Sequence, residues 1–363
     1  MIKLKPIYLY IIIIAGALWL SGCAGGRGSV ATGWPGLTVD AETAYLAHTQ
    51  QVYAINLANG QERWRFPATA DGNMSFFAAP TLTSDGQLIV GGYNNILYSL
   101  NPTSGTENWQ FTDAADRYIG SSLAVDRSIF APNADKNLYA LDLDGNLVWK
   151  FASQEALWAK PTTDPACTCV YLTSMDHRIY SLDAQDGSVN WQTDGLGGSL
   201  VGTPALSEDG ILYVGTYGSD MLAINADNGD ILWRIPTSDW VWGGPILRDG
   251  VLYFGVLDGN FYALDASTGT NIWGPFQAEG KIPESPLVTE DAIYFTTDNG
   301  NFYGLNLDGS QLPWSPKVLD GILESSPVQA GDLILITQSG SDKILIAFNQ
   351  NGSEQWAFTP EKK

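Results

Sequence analysis

Cys167 and Cys169 are the residues of this chain best placed by type and spacing to do chemistry. With Thr168 between them they either remain two thiols of a tight hairpin or close a strained bridge. With only His48 and His177 elsewhere, they do not make a zinc pattern. The two histidines assemble no nucleophile, base and acid series. Carboxylates number 39, yet no pair stands out as acid and base. Gly91-Gly92, Gly197-Gly198 and Gly243-Gly244 lack the following helix that makes a phosphate cradle. No catalytic residue and no metal ligand set is assigned. The remaining chemistry is that of recognition: Phe76, Phe77, Trp158, Trp240 and Trp242, with Glu284 and Glu324 nearby, form a candidate interaction face. Buried aromatic rings concentrate binding energy.

The elements that position these residues follow from the other tryptophans. Trp64, Trp109, Trp149, Trp191, Trp233, Trp273, Trp314 and Trp356 are spaced by 45, 40, 42, 42, 40, 41 and 42 residues. A self-similar unit of about 40 residues means one supersecondary block copied many times. Each tryptophan ends a similar phrase: Y-A-I-N-L-A-N-G-Q-E-R-W from Tyr53 to Trp64, Y-A-L-D-L-D-G-N-L-V-W from Tyr139 to Trp149, and Y-A-L-D-A-S-T-G-T-N-I-W from Tyr262 to Trp273. A unit opens on a leading Pro and alternating residues, as in Pro204-Ala-Leu. It continues through a β-branched and aromatic run such as Ile211-Leu-Tyr-Val-Gly, then alternates again in Phe261-Tyr-Ala-Leu-Asp. The last turn starts with Asp or Asn and carries Gly near its end, as in Asn101 with Gly105 and Asn225 with Gly229. The Asx side chain closes such a turn and Gly supplies its positive φ. A fourth strand then carries the tryptophan.

Four short antiparallel strands per unit cannot each bury both faces alone, and radial stacking solves that. The expected fold is all-β, an eight-bladed propeller of four-stranded antiparallel blades spanning residues 34–359, with a short tail at 360–363. A β-solenoid, the rival, has shorter coils and no use for a hairpin in every repeat. The eight periodic tryptophans are then wedges between blades, a structural role. The leading Pro is expected in seven copies and replaced by Leu123 in the third, and the third-strand Tyr becomes Leu222 and Ile346 in the fifth and eighth. In this topology the connections between blades share one rim with the turns between strands two and three. Counting back three residues from the leading Pro gives Phe77, Trp158, Trp242, Pro283 and Glu324, all expected near the channel mouth. These side chains either dock a partner or plug the wide channel of an eight-bladed ring.

The chain begins with Lys3 and Lys5, an apolar run from Ile7 to Leu20, and Leu20-Ser21-Gly22-Cys23. The run is short for a membrane span of about 20 residues, and the pattern is that of a secretory signal. It resembles the bacterial lipoprotein precursor, in which cleavage before the cysteine makes Cys23 the lipidated first residue. Residues 1–22 are then a signal peptide and 23–33 the lipidated end and a flexible tether. Removal of the leader takes two lysines and no acid, leaving 16 basic against 39 acidic residues and a formal charge of −23. Nucleic acid is a poor partner for such a chain. The acidic surface either keeps the propeller soluble or selects a basic partner.

The repeat phrase resembles the PQQ-type propeller repeat of quinoprotein dehydrogenases, in which Trp-docked blades surround pyrroloquinoline quinone. The resemblance is specific for fold and less so for function. Those enzymes show an adjacent cysteine pair, calcium ligands and sometimes a haem motif, none of which this sequence reproduces. No cofactor is expected, with the quinone and calcium as the minor alternative. The lipobox, length, blade count and repeat together are similar to the BamB family of lipoproteins. That similarity implies a non-enzymatic, monomeric scaffold, anchored through Cys23 on the periplasmic side of the outer membrane and docking to a barrel-assembly protein. A propeller module for a sugar or peptide is the alternative. The family contact, an inter-blade loop with leucines and an arginine, has no counterpart here; Leu247-Arg248 falls inside a predicted strand.

Overall fold

The computed structural model describes residues 35–164 and 166–361. The proposed leader, Cys23, the tether to residue 33, and Lys362 and Lys363 of the tail lie outside these residues. No helix occurs among the described residues. They form eight four-stranded antiparallel sheets, each from one contiguous stretch of chain with its strands in sequence order. The first blade consists of Gly36–Val39, Thr43–His48, Gln51–Asn56 and Glu62–Phe66. The last consists of Val328–Ala330, Leu333–Thr337, Leu345–Asn349 and Glu354–Phe358. No strand is exchanged between the two, and the ring closes by blade eight packing on blade one. The core is divided accordingly into eight apolar clusters, each built from the facing sides of neighbouring blades. The second and third strands are apolar on both faces because a neighbour covers each face.

The periodic tryptophans make one contact eight times. Each indole Nε1 donates to a backbone carbonyl in the last hairpin of the next blade, from Trp64 to Pro102 at 2.8 Å through Trp314 to Gln350 at 3.0 Å. Trp356 closes the circle by donating to Leu57 at 2.8 Å. The hairpin glycine lies flat against the same ring: a Cβ at Gly105, where φ is 70°, would sit 2.6 Å from Trp64. The position therefore needs Gly for backbone conformation and for clearance together. The Asx chemistry expected of this turn is present, with Ala58 N donating to Asn56 Oδ1 at 2.8 Å and Asp227 N to Asn225 Oδ1 at 2.8 Å. In seven blades a β-bulge beside the turn shifts the register just before the tryptophan, re-aiming it toward the neighbour. Across the ladder from the tryptophan stands a small residue, Ala54 opposite Trp64 and Ser99 opposite Trp109.

Three expectations are corrected, and the alternative left open for the cysteine pair is decided. The third copy's leading position belongs to Ser122, since Leu123 pairs with Phe130 in the row that Thr81 occupies by pairing with Ile89. In the first copy that position is Leu37, two residues after Pro35, because Thr38 occupies the same row through Tyr45. The leading proline is thus kept in six blades. Trp314 does not lie in a strand: the fourth strand of blade seven is reduced to Lys317–Val318, since Pro313 and Pro316 cannot donate to a ladder. Cys167 and Cys169 are joined in a disulfide across the turn between the first two strands of blade four.

Trp64 is 9% exposed and both packs and donates. Trp64→Ala should destabilise the propeller by about 3–5 kcal/mol. Trp64→Phe, which keeps most of the packing and leaves the Pro102 carbonyl only the longer bond from the Tyr45 hydroxyl, should cost about 0.5–1.5 kcal/mol. Urea denaturation followed by circular dichroism reads both.

Candidate functional site

A double row of backbone hydrogen bonds builds the rim of the channel. In each connection from blade one to blade seven, one amide donates to the turn of the preceding blade, and the carbonyl just before it accepts from the turn of the following blade. Between blades five and six, Val241 N donates to Thr216 O at 3.2 Å and Leu257 N to Trp240 O at 3.1 Å. Between blades one and two the same places are taken by Phe76 N to Thr49 O at 2.7 Å and Tyr93 N to Ser75 O at 2.8 Å. The donating residue is a buried apolar anchor in every case, including Phe76, Leu157, Val241 and Ile282. Phe76 is 0% exposed, so it belongs to the core and not to the interaction face expected for it. Its sequence neighbour Phe77 lines the channel but is 3% exposed, with its ring edge-on to Tyr93 at 4.7 Å.

Residues that follow the anchors line the channel, in a cavity of about 230 Å³ to which all eight blades contribute. Neighbouring segments approach so closely that small residues prevail. A Cβ on Gly243 would stand 2.4 Å from the Glu284 carbonyl carbon, and one on Gly120 2.4 Å from the Trp158 oxygen. In this small-residue lining the two charged side chains are Lys160 in blade four and Glu284 in blade seven. Phe77, Trp158 and Trp242 line the same cavity. Pro283 and Glu324, expected beside them, do not line it, although Glu324 lies close enough for its charge to act on Glu284.

On the blade five to seven side, three aromatic rings stand together near a carboxylate. Tyr217 lies flat on Trp240, with centroids 5.1 Å apart at 10°, and meets Trp242 at 5.4 Å and 44°. Trp240 is 45% exposed on the rim. Enclosure, and secondarily the Glu324 charge, pushes the Glu284 carboxyl up to about 8 against a hydrogen bond with Ser326. Glu324 is itself raised by burial and then by Asp298, and the Tyr217 hydroxyl by burial and then by Glu284. Lys160 reaches the water of the channel yet has protein around it, and that partial desolvation lowers its ammonium below the usual lysine range. Two polar atoms here are buried without a hydrogen-bond partner among the described residues, Trp158 Nε1 and Tyr217 Oη.

Sequence reading missed Tyr217, Lys160 and Ser326. Lys160 carried a legible signal, a charge where the other copies place Gly, Ala, Ser or Thr. Tyr217 carried none, because turn residues vary freely between copies. Pyrroloquinoline quinone, implied by the repeat, is a tricarboxylate, and the channel residues do not fit it: Lys160 is the one cation, and Glu284 and Glu324 oppose the anion. The Cys167–Cys169 bridge lies at the other end of blade four, beside a separate cavity of about 230 Å³ between blades three and four. Among the described residues no cluster of His, Cys, Asp and Glu forms a metal site.

The profile of the family described as outer membrane protein assembly factor BamB matches residues 17–170 and 175–362. Among solved structures the fold is similar to BamB from Moraxella catarrhalis, with TM-score 0.70 and 18% identity over 83% of this chain and 90% of that one. It is similar to the computationally designed Ika8 protein, with TM-score 0.73 and 11% identity over 91% and 97%. It is also similar to quinohemoprotein alcohol dehydrogenase ADHIIG from Pseudomonas putida HK5, with TM-score 0.70 and 11% identity over 92% and 78%. At such identities these likenesses show the fold alone. No curated protein sequence matches the chain.

Because Glu284 is raised in the folded chain, the folded state holds the extra proton between the ordinary carboxyl range and about pH 8. Stability from this group is therefore full below the unfolded value and is lost as pH rises through about 8. Glu284→Gln should leave the urea midpoint at pH 4 unchanged and raise it at pH 9 relative to the parent. An equal shift at both values would contradict the assignment.

Proposed function

This chain belongs to the PQQ-repeat family of outer membrane protein assembly factor BamB, and we propose that it is a non-enzymatic scaffold of the cell envelope that works by docking another protein. The observation that carries this reading is the rim stack. Trp240 stands out on a connection held by hydrogen bonds on both sides, above Tyr217 and Trp242. A large apolar side chain held exposed on a rigid support is organised for contact, since little side-chain freedom remains to be lost on binding. The partner implied by the family description is a component of outer-membrane β-barrel assembly. Acidic residues next to the stack, Glu284, Glu324 and Asp298, favour a partner surface with basic residues around an apolar centre.

The same reading places the protein at a membrane through lipid on Cys23, on the periplasmic face of an outer membrane. A short tether from that residue would let the propeller reach an integral partner without a spanning segment of its own. The shared fold with a quinohemoprotein dehydrogenase does not transfer its chemistry, since function lives in the site and the channel charges oppose that cofactor. Leu247-Arg248 lies within the strand Ile246–Arg248, which leaves the rim stack as the better-supported contact.

Affinity capture from detergent-solubilised envelopes of the native host should retrieve a barrel-assembly protein with the parent chain. Capture should fall at least about tenfold with a Trp240→Ala, Trp242→Ala double variant, in keeping with the loss of a central aromatic pair. Clean recovery of the propeller without any barrel-assembly component would overturn this reading. Cys23→Ala should move the protein from the membrane pellet to the soluble fraction; retention in the pellet would refute the lipid anchor.

A further inference from the structure

The pseudo-symmetry of the ring supplies an internal control for what the fold requires at each channel position. Where Glu284 stands, the equivalent residues are Pro35, Ala78, Gly120, Ala159, Gly202, Gly243 and Ser325; where Lys160 stands, they are Gly, Ala, Ser or Thr. Folding asks for a small side chain at both places, because the next segment's backbone arrives within contact distance. A charge placed there gives up part of its hydration, and neither Lys160 nor Glu284 has an ion-pair partner among the described residues. The two exceptions carry opposite charges and line one cavity.

Each charge is accompanied by an orphaned group of matching sense. Trp158 and Lys160 come from one segment and line the cavity together. The Trp158 Nε1 is a donor only, and it is buried with no acceptor among the described residues. A donor and an ammonium side by side call for an anion that accepts hydrogen bonds. On the other side, Glu284 stands with Ser326 and Glu324 and lines the cavity with Trp242, its charge acts on Tyr217, and the Tyr217 hydroxyl is buried without a partner. Carboxylates next to aromatic faces suit an ammonium group, held by charge and by the ring quadrupoles.

We propose that the channel mouth binds a zwitterionic short peptide, whose carboxylate meets Lys160 and Trp158 Nε1 and whose ammonium meets Glu284 near Tyr217 and Trp242. A cavity of about 230 Å³ suits a ligand of that size, since drug-sized molecules occupy about 300–1,000 Å³. The site shares Trp242 and Glu284 with the docking face of the scaffold reading, and a titration with small probes and no partner protein reads ligand binding separately from protein docking. Bound ammonium pairs with ionised Glu284, which is mostly protonated below pH 8 in the free protein. Binding near pH 7 therefore releases a proton, and affinity rises between pH 6 and pH 8. The titratable groups facing Glu284 in this range are Glu324, Tyr217 and, across the channel, Lys160, with Asp298 acting through Glu324.

The test is calorimetric titration of the full-length, detergent-solubilised protein with alanyl-alanine, N-acetyl-alanyl-alanine and alanyl-alanine amide. The zwitterion should bind saturably, and each blocked analogue at least about tenfold more weakly, the worth of one charge-assisted contact. Lys160→Met should erase the preference for a free carboxylate, and Glu284→Gln the preference for a free ammonium together with the proton release read by changing buffers. The analogues need no variant, so a misfolded variant leaves the test intact. Absence of binding by the zwitterion, or equal binding of all probes, overturns the proposal.

Discussion

The structure depends on one contact made eight times: an indole N–H that reaches the last hairpin of the next blade while its ring lies on that hairpin's glycine. A blade presents apolar residues on both faces of its inner strands, and it is stable only when both are covered. The tryptophan sets the distance and angle at which the next blade covers one face. The position of closest approach must then be a glycine without a Cβ, and in seven blades a small residue across the ladder and a bulge let the tryptophan turn out of its own sheet. Trp356 donating to Leu57 makes the last interface equivalent to the rest. An open array would need caps at both ends, whereas this ring has no ends.

A ring of equivalent blades separates structural from functional demands without any comparison between species. A feature present in all eight copies answers a need of the fold, and the indole contact is such a feature. A residue that departs from its seven counterparts has another cause, which is either tolerated variation or a local task. Leu222 and Ile346, standing where other copies place Tyr, are apolar replacements in a buried position and need no further reason. Lys160 and Glu284 differ in kind, since a partly desolvated charge costs free energy that an alanine would not. Their cost is moderated but not removed, as the displaced ionisations of both groups show.

Much of this architecture was legible in the sequence because the elements that fix it are local and repeated. Tryptophan spacing, Asx-Gly turns and alternating strands each report a constraint within one unit, and eight copies average out the exceptions. The site was less legible because its residues are set by register and by neighbours. Phe76 and Trp240 look alike as off-beat aromatics, yet one is an anchor under the rim and the other stands on it. That difference depends on which amide bonds to which turn. Ser122 occupies the leading position in blade three without the proline that marks it in six others, so only the strand register identifies it. Tyr217 enters the site only because stacking brings a turn of blade five over a connection to blade six. No periodic pattern encodes that contact.

The rim stack joins the inside of the channel to the outer surface. Trp242 lines the cavity, Trp240 is exposed, and Tyr217 touches both. The connection that carries the two tryptophans is bonded to the turns on either side, so its backbone has little freedom to move. Any influence of a group in the channel on a protein at the rim must then pass through these three rings and the carboxylates under them. Such an influence is reciprocal, because linkage gives the two occupants the same coupling free energy. Ionisation of Glu284 is the natural intermediary: a basic group drawn to the rim lowers the cost of that charge, and the charge in turn favours an ammonium below. The enclosed carboxylate thus makes the channel and the docking face parts of one electrostatic unit, supported by a ring whose periodic tryptophans hold the geometry fixed.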